Sequence, residues 1–173
     1  MTISYRARPI EETALKELRV RDDAGRECVP YRDEEGGAPL RCCLRASEAG
    51  ERIALVSYAP LRRWAARTGA DPGAYDEQGP VFVHAEACAG PAEDGGHPFA
   101  RPGVQRTARR YDARGHIVGG RVLDLGEDPD GVIDRALDEA FADPRVALVH
   151  LRAAEFGCFH FEVRRPAFSP SGV

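Results

Sequence analysis

The chain has 173 residues, and its 24 basic and 28 acidic side chains leave a net charge of −4 with the two signs interspersed. No basic stripe marks a nucleic-acid surface, and no apolar run has the length of a membrane span. With 43% hydrophobic and 30% charged residues, the composition is that of an ordinary globular domain with a core of its own.

Ser4–Arg8 reads as a short strand, and Ala14, Leu15 and Leu18 at helical spacing predict a helix over 11–19. Turns follow at 22–25 and 34–37. A strand is expected over 40–45 and a stronger one over 52–58, where β-branched and aromatic residues accumulate. Leu61, Trp64 and Ala65 share a face of a short helix that Gly69 closes. A strand over 80–88 leads into 89–103, a long run of turn formers of the kind that builds lids and binding loops. Strands over 104–111 and 117–125 flank the hairpin turn Asp112-Ala113-Arg114-Gly115. The clearest helix spans 128–142: Asp128 caps it, Pro129 suits its first position, and Val132, Ile133, Ala136, Leu137, Ala140 and Phe141 form one stripe. Strands over 146–152 and 158–164 close the chain, with a turn at 155–157. Hairpins outnumber helices. The expected fold is therefore a single α+β domain over residues 1–168, with a mostly antiparallel or mixed sheet, a few helices packed against it, and a disordered tail at 169–173.

Several chemistries lack their motifs. There is no phosphate loop, no dinucleotide-binding glycine pattern, no nucleophile elbow and no H-E-x-x-H, so no nucleotide cofactor is implied. Lys16 is the only lysine, and a Schiff-base mechanism would have to use it. The five cysteines, Cys28, Cys42, Cys43, Cys88 and Cys158, contain no C-x-x-C pair and are too irregular for a disulfide framework. Free thiols and the lack of a secretory pattern at the start of the sequence make a cytoplasmic location the expectation.

Two segments combine residues that carry chemistry. On a strand over 80–88, alternation would put His84, Glu86 and Cys88 on one face. Imidazole, carboxylate and thiolate are ligands for Zn²⁺ or Fe²⁺, with His84 and Glu86 the candidate pair. His84 and Cys88 would equally serve as base and nucleophile. The bland alternative is a solvated strand face. Near the C-terminus, Cys158, His160 and Glu162 would share a face opposite Phe159, Phe161 and Val163, with His150 flanking the turn close to Cys158. A histidine in a strand is more often structural than a ligand. Cys42 and Cys43 would point to opposite faces of their strand, at least one of them as core filling. Arg41 and Arg45 share a face on that strand, as do Arg106 and Arg110 on a later one, and Arg45, Arg106 and Arg110 are candidates to hold an anionic group bidentately. Surface ion pairs are the plainer reading of all three. His97 and Phe99 sit in the long loop, where they would close over a ligand or simply be solvated.

The run RCCLRASEAGERIALVSYAP from Arg41, the run GPVFVHAEAC from Gly79, the stretch RYDARG from Arg110 and the segment from Ala142 through His150 to Phe159 together resemble a bacterial family catalogued as domain of unknown function 1203. The resemblance spans about Leu40 to Arg165 and implies a small cytoplasmic domain, with no activity attached. His84, Cys88, His150 and Cys158 fall on positions matching its motifs; His160 does not clearly match, and Ala46 stands where the family pattern has Asp.

Two functions of different class follow. One is a small enzyme acting on a small polar or acidic metabolite, by thiol acid–base or metal-assisted chemistry, with His84, Cys88, His150 and Cys158 at its site. The other is a non-catalytic small-molecule-binding or accessory protein of a bacterial biosynthetic pathway. Neither implies nucleic acid or membrane as a partner. Sequence leaves the oligomeric state open, and with it whether zinc or iron is bound.

Overall fold

The computed structural model describes residues 4–93 and 95–166. The expected tail at 169–173 lies outside the described residues, which contain three α-helices and two sheets. The α+β class is as expected, with two sheets rather than one. A five-stranded mixed sheet has the order β1-β4-β5-β2-β3, from Tyr31–Arg32 (β1), Arg52–Tyr58 (β4), Gly79–His84 (β5), Pro39–Leu40 (β2) and Arg45–Ala46 (β3). A four-stranded antiparallel sheet has the order β7-β6-β8-β9, from Ile117–Asp124 (β7), Gln105–Asp112 (β6), Val146–Ala153 (β8) and Phe159–Arg164 (β9). No helix among the described residues is long and apolar enough to cross a membrane.

Each helix forms where its apolar stripe has a sheet to cover. In α3 (Pro129–Ala142), the Asp128 carboxylate accepts from the Gly131 N–H, so one orphan donor of the first turn is satisfied. Its stripe of Ile133, Ala136, Leu137 and Phe141 packs on Leu123, Val149, Leu151, Phe161 and Val163. α1 (Glu12–Leu18) buries Ala14, Leu15 and Leu18 against Ile53, Val81 and Val83. α2 (Pro60–Thr68) ends on Gly69 in the left-handed conformation and places Leu61, Trp64 and Ala65 against Tyr111 and Leu148. β8 is therefore covered on both faces, with Val149 and Leu151 toward α3 and Leu148 toward α2. The β6–β7 hairpin turns at Asp112, whose carboxylate accepts from the N–H groups of Arg114 and His116. Gly115 completes the turn at φ 83°, where a Cβ would meet Pro72 at 3.0 Å.

Four expected strand features change. Ser4–Arg8 makes only a single bridge, Arg8 to Glu162. The expected strand over 40–45 is two two-residue strands around a turn: the Leu44 N–H bonds back to the Leu40 carbonyl at 2.9 Å, and Leu44 adopts φ 57°. Arg41, Cys43 and Arg45 thus do not share a strand face. β5 stops at His84 because its partner β4 starts at Arg52, opposite Ala85, leaving nothing beyond to pair with. In β9 the register shifts by one, with Leu151 opposite Phe161 but Arg152 opposite Phe159. His160 is the extra residue of this bulge, so Cys158, His160 and Glu162 are not a continuous face.

His150 is fully buried in β8, its ring between Tyr111 and Phe159 at 4.8 and 5.0 Å. Its Nε2 lies 3.1 Å from Glu162 Oε2, and the other Glu162 oxygen accepts from Arg164 Nε at 2.6 Å. Burial lowers the His150 pKa against the pull of Glu162. Burial also opposes the Glu162 charge, but the hydrogen bonds from His150 and Arg164 outweigh it and hold that carboxyl below its ordinary range. Burial pushes His160 down to about 3, with Arg41, Arg106, Arg152 and Arg101 adding to the effect.

Two measurements test this packing. In urea unfolding, Leu137→Ala is expected to cost roughly 2–5 kcal/mol as a core truncation and Asp128→Ala about 1 kcal/mol as a lost cap; equal effects would contradict the burial assignment. For acid, the unfolded chain protonates its histidines near pH 6.5 while folded His160 stays neutral until about 3. Stability is thus full above that window and falls as pH drops through it, by ~1.4 kcal/mol per unit from His160 alone, with His150 acting in the same direction. His160→Gln should flatten the slope between pH 6 and 4, and an unchanged slope would refute the neutral, buried state of this ring.

Candidate functional site

The segment from Pro39 to Glu51 carries chemistry on two sides. On one side, Cys42 and Cys43 meet His84 at the end of β5. Cys42 Sγ lies 3.4 Å and Cys43 Sγ 3.8 Å from His84 Nδ1, and the two sulfurs are 4.0 Å apart. Cys88 joins them from the loop after β5, and the four donor atoms all lie within 4.8 Å of one another. Cys42 and Cys43 are buried; His84 and Cys88 are half-buried. The far nitrogen of the ring, Nε2, faces Glu51 Oε1 at 3.0 Å. Glu51 is held by both Arg45 guanidinium nitrogens, at 3.0 and 2.6 Å, and by the Glu48 N–H at 2.7 Å. The Arg45 bonds, followed by the Glu48 N–H, keep the Glu51 carboxyl well below the usual carboxylate range. The hydrogen bond Cys42 donates to Cys43, with burial, raises the Cys42 thiol; the same bond lowers Cys43. Three thiols and an imidazole form a donor set compatible with a metal ion.

On the other side lies a cavity of about 590 Å³, within the range of small-molecule sites. It opens where β6 begins and β8 ends, against Leu55 and Phe82 of the five-stranded sheet. Phe99 and Phe156 supply further apolar wall, and Arg41, Arg106, Cys158 and His160 the polar groups. Arg41 is 2% exposed. Its Nε donates to the Phe159 carbonyl at 2.7 Å and its Nη1 to the Pro39 carbonyl. Burial brings its pKa down to about 10, so the guanidinium keeps its charge at neutral pH. Arg106 is 5% exposed and donates to the carbonyls of Gln105 and Phe99, at 2.7 and 2.8 Å. Among the described residues, neither guanidinium has a carboxylate within ion-pair distance, although Glu155 also lines the cavity. His160 stacks obliquely on Phe99 at 5.0 Å, and its buried Nδ1 has no hydrogen-bond partner.

Of the residues singled out from sequence, His84 and Cys88 do come together, through the loop rather than along a strand. Glu86 does not join them; it is exposed and pairs with Arg52. His150 meets Glu162 instead of Cys158, and Cys158 opens on the cavity. Arg106 reaches the cavity and so does Arg45, whose charge is spent on Glu51. Arg110 is outside: four residues on from Arg106 along a strand is ~13 Å, and it packs beside Gly119. His97 bonds Asp134 at 2.8 Å, away from both clusters. Sequence reasoning missed Glu51, for which no local signal exists, and gave Arg41, Cys42 and Cys43 a strand's geometry. The adjacent cysteines were the available signal.

No curated protein and no solved structure shows a significant match to the chain. A family model described as protein of unknown function (DUF1203) matches residues 37–165, a stretch that takes in Arg41, the Cys42–Cys43 pair, His84, Cys88 and every polar residue of the cavity. The chain therefore belongs to the DUF1203 family.

Proposed function

We propose that the protein binds a small organic anion, a carboxylate- or phosphate-bearing molecule with an apolar body, in the cavity beside Arg41 and Arg106. The observation that carries this reading is the pair of buried guanidinium groups lining one cavity with no carboxylate in ion-pair contact; Glu155, on the same wall, acts on Arg106 only from a distance. A buried charge normally has a counter-charge, because desolvation costs several kcal/mol per ion. Backbone carbonyls offset part of that cost here, and a bound anion would offset the rest through charge-assisted hydrogen bonds. His160 supports the same polarity. Held neutral among the arginines, it adds no further positive charge and leaves its Nδ1 to bond a polar group of the ligand. The aromatic wall would hold the apolar body. Five free cysteines fit a reducing compartment, which favours a cytoplasmic location.

Catalysis is a second reading, favoured by Cys158. Its thiol opens on the same cavity, which Arg41 also lines. A ligand with an electrophilic carbon next to its anionic group would present that carbon to a nucleophilic sulfur. Without Cys158 chemistry, the protein is a binding or accessory protein of a pathway that handles such acids.

Thermal shift with a panel of small carboxylates and phosphates separates the anion classes. A true ligand at 100 times its Kd should stabilise by about 2.7 kcal/mol. Arg106→Met should abolish the shift, and Arg121→Met, which removes only an exposed pair with Glu139, should not. An anion that stabilises both variants equally would place binding elsewhere. Iodoacetamide labelling tests Cys158: a bound ligand should slow its alkylation at least tenfold and leave Cys28 unaffected. Equal rates with and without a stabilising ligand would remove Cys158 from the site.

A further inference from the structure

We propose that Cys42, Cys43, Cys88 and His84 bind one Zn²⁺ ion in a closed tetrahedral site, with Glu51 as the outer partner of His84. The inference does not rest on the ligand reading of the cavity, since the two donor sets share no residue.

Geometry is the first support. A zinc ion with ~2.3 Å bonds to sulfur and ~2.0–2.1 Å bonds to nitrogen has tetrahedral edges of ~3.8 Å between sulfurs and ~3.6 Å between sulfur and nitrogen. The corresponding separations are 4.0 Å for Cys42–Cys43, 3.4 Å for Cys42–His84 and 3.8 Å for Cys43–His84. The backbone is the second support. Cys42 Sγ accepts from the main-chain N–H of His84 at 3.2 Å. A thiol buried as core filling has no use for a donor aimed at its sulfur, whereas a metal-bound thiolate is a good acceptor.

The third support is Glu51. An imidazole that ligates through one nitrogen typically gives its other N–H to a carboxylate, which fixes the ring and its tautomer. His84 turns Nδ1 to the sulfurs and Nε2 to Glu51 at 3.0 Å, and Glu51 is locked in turn by Arg45 and the Glu48 N–H. Three thiolates and one Zn²⁺ leave a net −1. Arg19, whose Nε donates to the His84 carbonyl at 3.0 Å, stands close enough to Cys88 for its charge to be felt there.

Soft thiolates in a tetrahedral set of three sulfurs and one nitrogen select zinc over the hard divalent cations. All four positions are taken by the protein, which leaves no site for a water or substrate, so the ion is structural. On binding, the three thiols lose their protons to solvent. The ion would join three pieces that share little regular structure: the turn after β2, the end of β5 and the loop that follows it.

The experiment is metal analysis of tag-free protein, followed by chelation, reduction and reloading with Zn²⁺ or Co²⁺. The expected result is one zinc per chain and, with cobalt, tetrahedral d–d bands plus a thiolate charge-transfer band. Cys88 is only half-buried, so Cys88→Ser should fold and bind at least 100-fold more weakly. Glu51→Gln should keep the cobalt spectrum and weaken binding ~10–100-fold. Cys28→Ser and Cys158→Ser should match the unaltered protein. Reduced protein that takes up neither metal stoichiometrically, or a cobalt spectrum unchanged in both Cys88→Ser and His84→Gln, overturns the site. If Cys88→Ser fails to fold, the His84→Gln spectrum and the Glu51→Gln affinity decide: an unchanged cobalt spectrum in the first, or unweakened binding in the second, overturns the site.

Discussion

Arg41 carries a charge it cannot lose into the interior of the protein, and much of the surrounding structure is arranged around that fact. Burial lowers its pKa only to about 10, so near neutrality it is a cation with 2% of its surface exposed. Its Nε reaches across to the Phe159 carbonyl, 118 residues away, at the start of β9. That bond ties the turn after β2 in the five-stranded sheet to the four-stranded one. The strand that the local sequence favours ends at the residue before Arg41. With the guanidinium anchored to the carbonyls of Pro39 and Phe159, the chain turns back at once, and Leu44 takes a conformation with φ 57°.

The same turn sorts the chemistry of the segment. Arg41 lines the cavity. Cys42 and Cys43, the next two residues, project instead toward His84. Arg45 touches both sides, lining the cavity while clamping the Glu51 that faces the His84 ring. A strand of alternating residues would have split Cys42 from Cys43 onto opposite faces. The turn brings both sulfurs to one nitrogen, which no regular element in this position could do.

Legibility in the sequence followed the range of the interactions involved. α3 could be read because its cap, its Pro129 and its stripe all act within one helix, and the β6–β7 hairpin because Asp112 and Gly115 make the turn from their own side chain and backbone. The turn at 41–44 could not, because it goes with a bond from Arg41 to Phe159, 118 residues away. Nor could the end of β5, which depends on where β4 begins, or the bulge in β9, which reverses His160 relative to Glu162. The candidate site shows the same division. His84 and Cys88 were visible as chemistry-bearing residues in one segment. Their mates lie 41 or more residues earlier, and Glu86, the near neighbour that alternation offered, turns away to Arg52.

The two clusters differ in how complete they are, and this decides what each can do. Around His84 the groups that define the cluster face partners from the protein: Cys42 Sγ accepts from the His84 N–H, one ring nitrogen faces the sulfurs, the other faces Glu51, and Glu51 faces Arg45. Such closure suits holding the chain in place, since nothing is left over to meet a ligand from solvent. The cavity is the opposite. Arg41 and Arg106 bond only to carbonyls, His160 leaves a buried nitrogen unpartnered, and the walls are aromatic and aliphatic. Buried polar groups without partners are expensive, roughly 1–3 kcal/mol each and more when charged. On the proposed reading, a cavity of this size that keeps such groups holds binding energy for an anion that is not part of the chain. The closed cluster then has a mechanical reason to stand beside the open one. The residues it fixes in position, Cys42 and Cys43, are the next two after Arg41, whose placement an incoming anion would need to find already made.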